Sequence, residues 1–322
     1  NNEYFQKDSI GNSLPYLEAV AITFLQDKQS EFLQFIQENL DFVSGLDDSY
    51  KDEVISSKGE LKQEYIDEIN LIRGPYLNTE YLAFYLESNK NEIKSEILRK
   101  AVNHGFDRNK MIKYLRNGIG IPANGGFIPM GLPGYSDKIG YTYNPDYAKE
   151  LISQYKRDFK EVPSLKLTTT SNYLVFCEFI QKELEKIGLQ IAIDVIPGAS
   201  LKEAKANGKL DFFRASWVAD YPDAENYLSL FYSKNFAPKG PNYTHFTDKE
   251  FDALYESAVG ETNKNKTEIL YKKMDSLIIS KSIIVPLFYD EVIRFTRKNL
   301  NGMQINATNL LDLRYVKKLS NF

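Results

Sequence analysis

Apolar positions along the chain switch between a period of two and a period near 3.6, and the switches mark the elements. Residues 14–25, "LPYLEAVAITFL", read as a strand after a Gly-Asn turn. Residues 30–43 carry Phe32, Leu33, Phe35, Ile36 and Leu40 at helical spacing. "NTEYLAFYLES" (78–88) reads as an aromatic-rich strand. Two helices follow. "KSEILRKAVNHGF" puts Ile97, Leu98, Ala101 and Val102 on one face, and "DRNKMIKYLRNG" has Asp107 as its N-cap and Gly118 beyond its end. Asn144 and Pro145 open a further helix. Near the C-terminus, Thr247 and Glu250 fit a capping box, "KTEILYKKMDSLIISKS" is amphipathic, and "IIVPLFYDEVIRFT" reads as a strand broken by Pro286.

The middle of the chain has the clearest order. "SLKLTTT" reads as a strand, "SNYLVFCEFIQKELEKIG" as a helix ending at Gly188, and "LQIAIDVI" as a strand with Leu189, Ile191, Ile193 and Val195 on one face. That is a βαβ unit, expected to be parallel and right-handed. A short helix in "ASLKEAKANGK" and a strand in "LDFFRASW" extend it into an open α/β sheet. Ligands of such sheets gather beyond the carboxyl ends of the strands, which selects the loop at 169–172 and the loop starting at Val218.

Arg214 breaks the pattern. In a strand it shares a face with Phe212 and Ser216, and a central parallel strand is apolar on both faces. A buried guanidinium needs a carboxylate or a wet cavity. Asp220 and Asp223 follow the strand closely. Three readings are open: an Arg–Asp bridge fixing the loop, an edge strand with Arg214 in solvent, or a cavity with separated charges for a zwitterion, Asp on its ammonium and Arg on its carboxylate.

Composition removes other classes. The 322 residues are 43% hydrophobic and 26% charged with a net charge of -4, a globular composition with no basic excess for nucleic acid. No apolar run reaches the ~18 residues of a membrane span. Cys177 is the single cysteine and reads as a small buried hydrophobe; His104 and His245 have no metal-ligand spacing and read as packing or surface residues. The 22 Tyr and 20 Phe suit an adaptable binding surface and equally suit a core. The loop at 118–137, "GIGIPANGGFIPMGLPGYSD", lacks the Gly-Lys-Ser/Thr of a phosphate loop, and its prolines bar the helix that would follow one. No nucleophile elbow or Cys/His pair is present, and Asp220 and Asp223 are neighbours in one loop rather than opposed carboxylates. No metal and no cofactor is expected.

Several segments together resemble the extracellular solute-binding proteins of the peptide/nickel ABC-transporter class, which includes the oligopeptide- and dipeptide-binding proteins. "NNEYFQKDSIGNSLPYLEAVAITFLQD" is similar to the family's Asn-x-x-Tyr-Trp … Leu-Pro-Tyr-Leu-Asp segment, with Phe5 where Trp is usual. "EILRKAVNHGFDRNKMI" is similar to its Val-Arg-x-Ala-hydrophobic … Asp-Arg helix pair. "GIPANGGFIPMGLPGY" and "YNPDYAKELI" resemble its Pro/Gly loop and the helix after it. "GKLDFFRASWVADYPDAENYLSLF" resembles its Trp-x-x-Asp-Tyr-x-Asp-Pro loop, with Ala224 where Pro is common.

The resemblance implies a two-lobed α/β fold of the periplasmic-binding-protein type (type II, dipeptide-binding class). Residues 82–290 would form a complete ligand-binding lobe, and 1–81 with 291–322 part of the other, with hinge crossings near Tyr85 and Asp290. It implies a substrate-binding component that traps a peptide or similar small solute between lobes and hands it to an ABC permease, without catalysis and as a monomer. It implies a periplasmic or extracytoplasmic location, a segment ahead of "NNEYF" with the export signal and the start of lobe one, and a lipoprotein-type anchor there. By position, Asp220 would pair with a peptide ammonium, Arg214 would meet a carboxylate or pair with Asp220, and Trp217 would line the cleft. Lys205 holds a second basic position, without arginine's bidentate fork, and Tyr221 completes the expected ligand-binding set. Two alternatives stand beside this: a hydrolase using the Asp220/Asp223 loop, and a solute-sensing module on the same scaffold.

Overall fold

A computed structural model describes residues 4–25, 27–45, 47 and 50–319. It divides into two compact units, one of residues 1–76, 116–119 and 291–322, the other of residues 77–115 and 120–290.

The first unit holds α1 (Lys28–Ile36), β1 (Phe42–Ser44), α2 (Lys51–Val54) and the start of β2 (Ile69–Phe84). Asp27 caps α1 by accepting from the Ser30 amide. The helix stops at Ile36, short of the expected residue 43, because Glu38 turns to φ +66° and the chain re-enters as a strand. Phe42–Ser44 then pairs antiparallel with residues 294–296. Phe32, Phe35, Val43, Tyr50, Ile69, Ile293 and Phe295 form the core of this unit, with Phe32 stacked on Tyr50 at 4.4 Å. Residues 14–25 do not form the expected strand. Their side chains alternate but find no ladder; Val20, Ile22 and Phe24 are exposed, Phe24 by 92%.

The second unit continues through α3 (Asn91–Lys94), α4 (Glu96–His104), α5 (Arg108–Leu115), β3 (Ile121–Pro122), α6 (Pro145–Phe159), β4 (Ser164–Thr169), α7 (Leu174–Glu185) and β5 (Gln190–Val195). Next come α8 (Gly198–Ala206), β6 (Phe212–Val218), α9 (Glu225–Leu228), α10 (Lys249–Gly260), α11 (Lys264–Ser280) and β7 (Ile284–Arg297). Two short strands, β8 (Leu300–Asn301) and β9 (Lys317–Lys318), pair within the first unit. Local chemistry sets the helix starts: Asp107 accepts from the Asn109 and Lys110 amides, and Asn144 caps α6 with Pro145 at its first position. At α10 the cap is Asp248, one residue after the expected Thr247; its Oδ1 takes both the Glu250 and Phe251 amides.

The sheet runs β7-β2-β6-β4-β5 in this unit. β4 pairs parallel with β5 and with β6, completing the βαβ topology, while β2 pairs antiparallel with β6. β6 is therefore an interior strand. β7 runs unbroken through Pro286; β3 pairs with it only at Tyr289 and Phe288, so that ladder does not reach the proline, whose carbonyl accepts from Arg108 Nε. One face of the sheet buries Leu82, Phe84, Phe212, Leu167 and Ile191 against Cys177, Ile180 and Leu184 of α7 and against α4 and α6. Across the other face, the Phe127 ring lies 4.9 Å from Tyr81 and 5.1 Å from Phe231.

The Gly/Pro-rich loop is a packed strap rather than a phosphate cradle. Buried Asp275 of α11 takes the Phe127 amide at 2.7 Å and the Ile128 amide at 3.2 Å. Gly126 lies so close to that carboxylate that a Cβ would overlap it. Burial pushes Asp275 up to about 7 against the opposing pull of the two amides. A folded-state value raised above the unfolded 3.8 favours the protonated form, so this group's stabilisation is full below pH 3.8 and is lost as pH rises through 7. The urea midpoint is therefore expected to be higher at about pH 5 than at about pH 7.5, with a smaller difference in Asp275→Asn. Equal pH sensitivity of parent and variant would contradict the assignment to Asp275.

Candidate functional site

Strand alternation places Arg214 on the face of β6 shared by Phe212 and Ser216. Its partner is Glu80, not Asp220. In the β2–β6 register Arg214 faces Leu82 and Ser216 faces Glu80, so Glu80 lies diagonally across on the same face. Arg214 Nη2 donates to Glu80 Oε2, and the side chains are 13% and 3% exposed. Glu80 Oε1 also accepts from Asn78 Nδ2 at 3.0 Å and from the Tyr173 hydroxyl at 3.3 Å. The guanidinium lies 3.3 Å from the centre of the Tyr173 ring. Its Nε is buried with no hydrogen-bond partner. The sequence-level readings of an Arg214–Asp220 bridge and of a solvent-facing edge strand are both replaced by this interior pair. Tyr173 stands directly after the 169–172 loop that follows β4, one residue beyond the segment expected at the ligand edge.

Lys205 comes from α8, with Nζ 4.4 Å from the centre of the Tyr243 ring. Burial first, then the positive charge of Arg214 and of Lys202, holds the Lys205 ammonium down at about 8, while Glu80 pulls the other way. Among the described residues, Lys205 has no ion-pair partner. The cluster thus contains two cations, one buried carboxylate and the rings of Tyr173 and Tyr243.

The loop after β6 is organised by Asn226 of α9, which is buried. Asn226 Oδ1 accepts from Trp217 Nε1 at 2.8 Å and from the Asp220 amide at 3.2 Å; its Nδ2 lies 3.5 Å from Asp220 Oδ2. Trp217 and Asp220 are therefore held side by side, and Asp220 stays exposed. Asp223 does a different job: its Oδ1 accepts from the Glu225 amide at 2.8 Å and from the Tyr271 hydroxyl at 2.7 Å, which fixes the turn into α9. The Tyr221 hydroxyl donates to Glu225. Tyr221 lines a groove of about 980 Å³ with Pro222, Asp223, Tyr255 and Tyr271, a lining that does not include Arg214, Lys205, Trp217 or Asp220.

Sequence reasoning missed Glu80, Tyr173, Tyr243 and Asn226. Glu80 carried a usable signal, the lone carboxylate of its strand, set directly before the apolar run "YLAF". The other three are ordinary loop and helix residues until the fold brings them together. With the Asp223 carboxylate spent on the turn, the arrangement offers charge-assisted hydrogen bonds and aromatic surfaces, the means of recognition.

A family model described as bacterial extracellular solute-binding proteins, family 5 Middle, matches residues 1–239. The dipeptide-binding protein of Escherichia coli (strain K12) is 26% identical over 246 residues, covering 74% of this chain and 45% of that protein. Heme-binding protein A of Haemophilus influenzae is 28% identical over 227 residues, covering 68% and 40%. This chain thus spans less than half the length of either relative. The structure of the periplasmic binding protein DppA from Helicobacter pylori in complex with peptide STSA superposes with a TM-score of 0.76 at 22% identity, over 91% of this chain and 55% of that one. The mixed α/β fold is that of these periplasmic binding proteins.

Proposed function

The chain belongs to the bacterial extracellular solute-binding proteins of family 5, and from that membership we propose that it serves as the substrate-binding component of an ABC importer. Its cargo is a peptide or a similar small solute, delivered unchanged to a membrane permease. Residues 82–290 form the complete ligand-binding lobe in this reading; residues 1–81 and 291–322 contribute to the other. The protein works as a monomer outside the cytoplasm, tethered to the membrane through a lipid-anchored N-terminal segment. Relatives named for dipeptides and for heme show that this scaffold carries more than one cargo.

The observation that carries the reading is the exposed Asp220 carboxylate, fixed beside Trp217 by Asn226 at the carboxyl end of β6. An acceptor so placed, with an aromatic ring next to it, suits a ligand ammonium. Trp217 supplies apolar surface and Lys205 takes a negative group; Arg214 supports this end of the site through Glu80. Tyr221 adds a contact at the loop's outer side. The hydrolase reading needs two free carboxylates in one loop, and Asp223 is engaged by an amide and a tyrosine.

Asp220→Asn is expected to weaken binding of peptides with a free amino end by on the order of 1.5–3 kcal/mol, the value of a charged hydrogen bond. Calorimetry with free and N-acetylated trialanine checks it, since only the free amine should feel the change. Equal affinity of parent and variant for the free amine would refute the role. Mass spectrometry of the peptides after incubation separates binding from hydrolysis, because shortened products would sink the proposal.

A further inference from the structure

Glu80 is the single carboxylate of the Arg214 cluster, and the reading above uses it only as a partner of Arg214. It is deeply buried, and donors meet it on both oxygens: Arg214 at Oε2, Asn78 and Tyr173 at Oε1. A carboxylate so served is satisfied where it stands. The guanidinium it holds lies over the Tyr173 ring, 3.3 Å from its centre, so Arg214 is held on two sides. A ligand carboxylate that claimed Nη2 would displace Glu80 and leave a buried anion without its cation, an arrangement proteins avoid. Lys205 has no such internal partner among the described residues, and its ammonium sits against Tyr243.

We infer that Glu80 is a specificity-determining residue, a built-in counter-ion that withdraws Arg214 from ligand recognition and leaves Lys205 alone to meet a single anionic group of the ligand. The inference rests on the peptide-binding reading and adds selection by charge to it. Arg214, on this view, positions Tyr173 and Glu80 and contacts no ligand carboxylate. The depressed Lys205 value fits this division: the ammonium is crowded by Arg214 and sustained by Glu80, so neutralising Glu80 changes the field at both cations.

Glu80→Gln tests it, because glutamine keeps the size and an acceptor oxygen for Asn78 and Tyr173 while removing the charge. Calorimetry compares trialanine with trialanine amide, and Trp217 fluorescence checks folding. In Glu80→Gln the preference for the free acid over the amide is expected to rise about tenfold, one charge-assisted hydrogen bond in scale. Lys205→Met in the parent background should bring acid and amide to equal affinity. A purely structural Glu80 would move stability but leave the acid-to-amide ratio as in the parent, and that result overturns the inference. If neither peptide binds the parent, the peptide reading fails, and the inference is decided by acetate titrated against the Lys205 side-chain resonance. About tenfold tighter acetate binding in Glu80→Gln upholds it, and equal binding overturns it.

Discussion

Phe212→Ala is expected to lower the unfolding free energy of the second unit, residues 77–115 and 120–290, by about 3–5 kcal/mol, the upper range for a large-to-small change in a core. Phe212 is fully buried at the first position of β6. It faces Phe84 of β2 on one side and Leu167 of β4 on the other, and its ring stacks on Phe84 at 4.4 Å with the planes 9° apart. Both neighbouring strands are fixed by ladders, so the cavity left by the ring has little room to collapse. Trp217, the single tryptophan, lies on the same strand and reports the transition in urea. A loss below about 1.5 kcal/mol, the range of a tolerated apolar swap, would show that this end of β6 relaxes and is not the pinned centre described above.

What could be read from the sequence divides along the range of the forces involved. Asp107 and the Asn144-Pro145 pair announce helix starts because a cap is settled within four residues, and both caps form. The βαβ order from residue 164 to 195 was legible because strand, helix and Gly188 turn follow one another locally, and the parallel β4–β5 pairing closes as expected. Errors arise where a partner lies far away in sequence. The alternating residues 14–25 look like a strand, but alternation only creates a face, and a strand exists only with a ladder. Pro286 looks like a breaker, yet whether a missing amide matters depends on which neighbour flanks it. Arg214 needs a carboxylate, and Asp220 and Asp223 follow it closely in sequence. The one that serves it is 134 residues away, brought near by the antiparallel register of β2 and β6. The family could be named because its motifs are linear strings, whereas the roles of Glu80 and Asn226 emerge only from pairing across the fold.

Glu80→Ala is expected to cost about 3–5 kcal/mol, the price of stranding a buried charge. The figure exceeds that of a surface ion pair because both side chains are shielded, 13% and 3% exposed, and because the guanidinium already leaves its Nε unmatched. Arg214→Met alone should be comparably damaging, since it strands the carboxylate instead. The double variant Glu80→Leu with Arg214→Met should recover most of the loss, because removing both charges also removes both desolvation costs. Urea unfolding followed at Trp217 gives the four corners of the cycle, and a coupling energy near zero would show a solvated pair that contributes little. A stable double variant would sharpen the case for function. If apolar residues can fill this position without loss of stability, packing alone does not account for an ion pair there. The remaining account is what the pair does to ligand charge: with Glu80 and Arg214 both gone, Lys205 loses the carboxylate that sustains it and the guanidinium that depresses it. Discrimination between the acid and amide forms of a peptide then rests on the lysine without either neighbour. A double variant that folds like the parent yet discriminates differently would separate the two roles of one salt bridge.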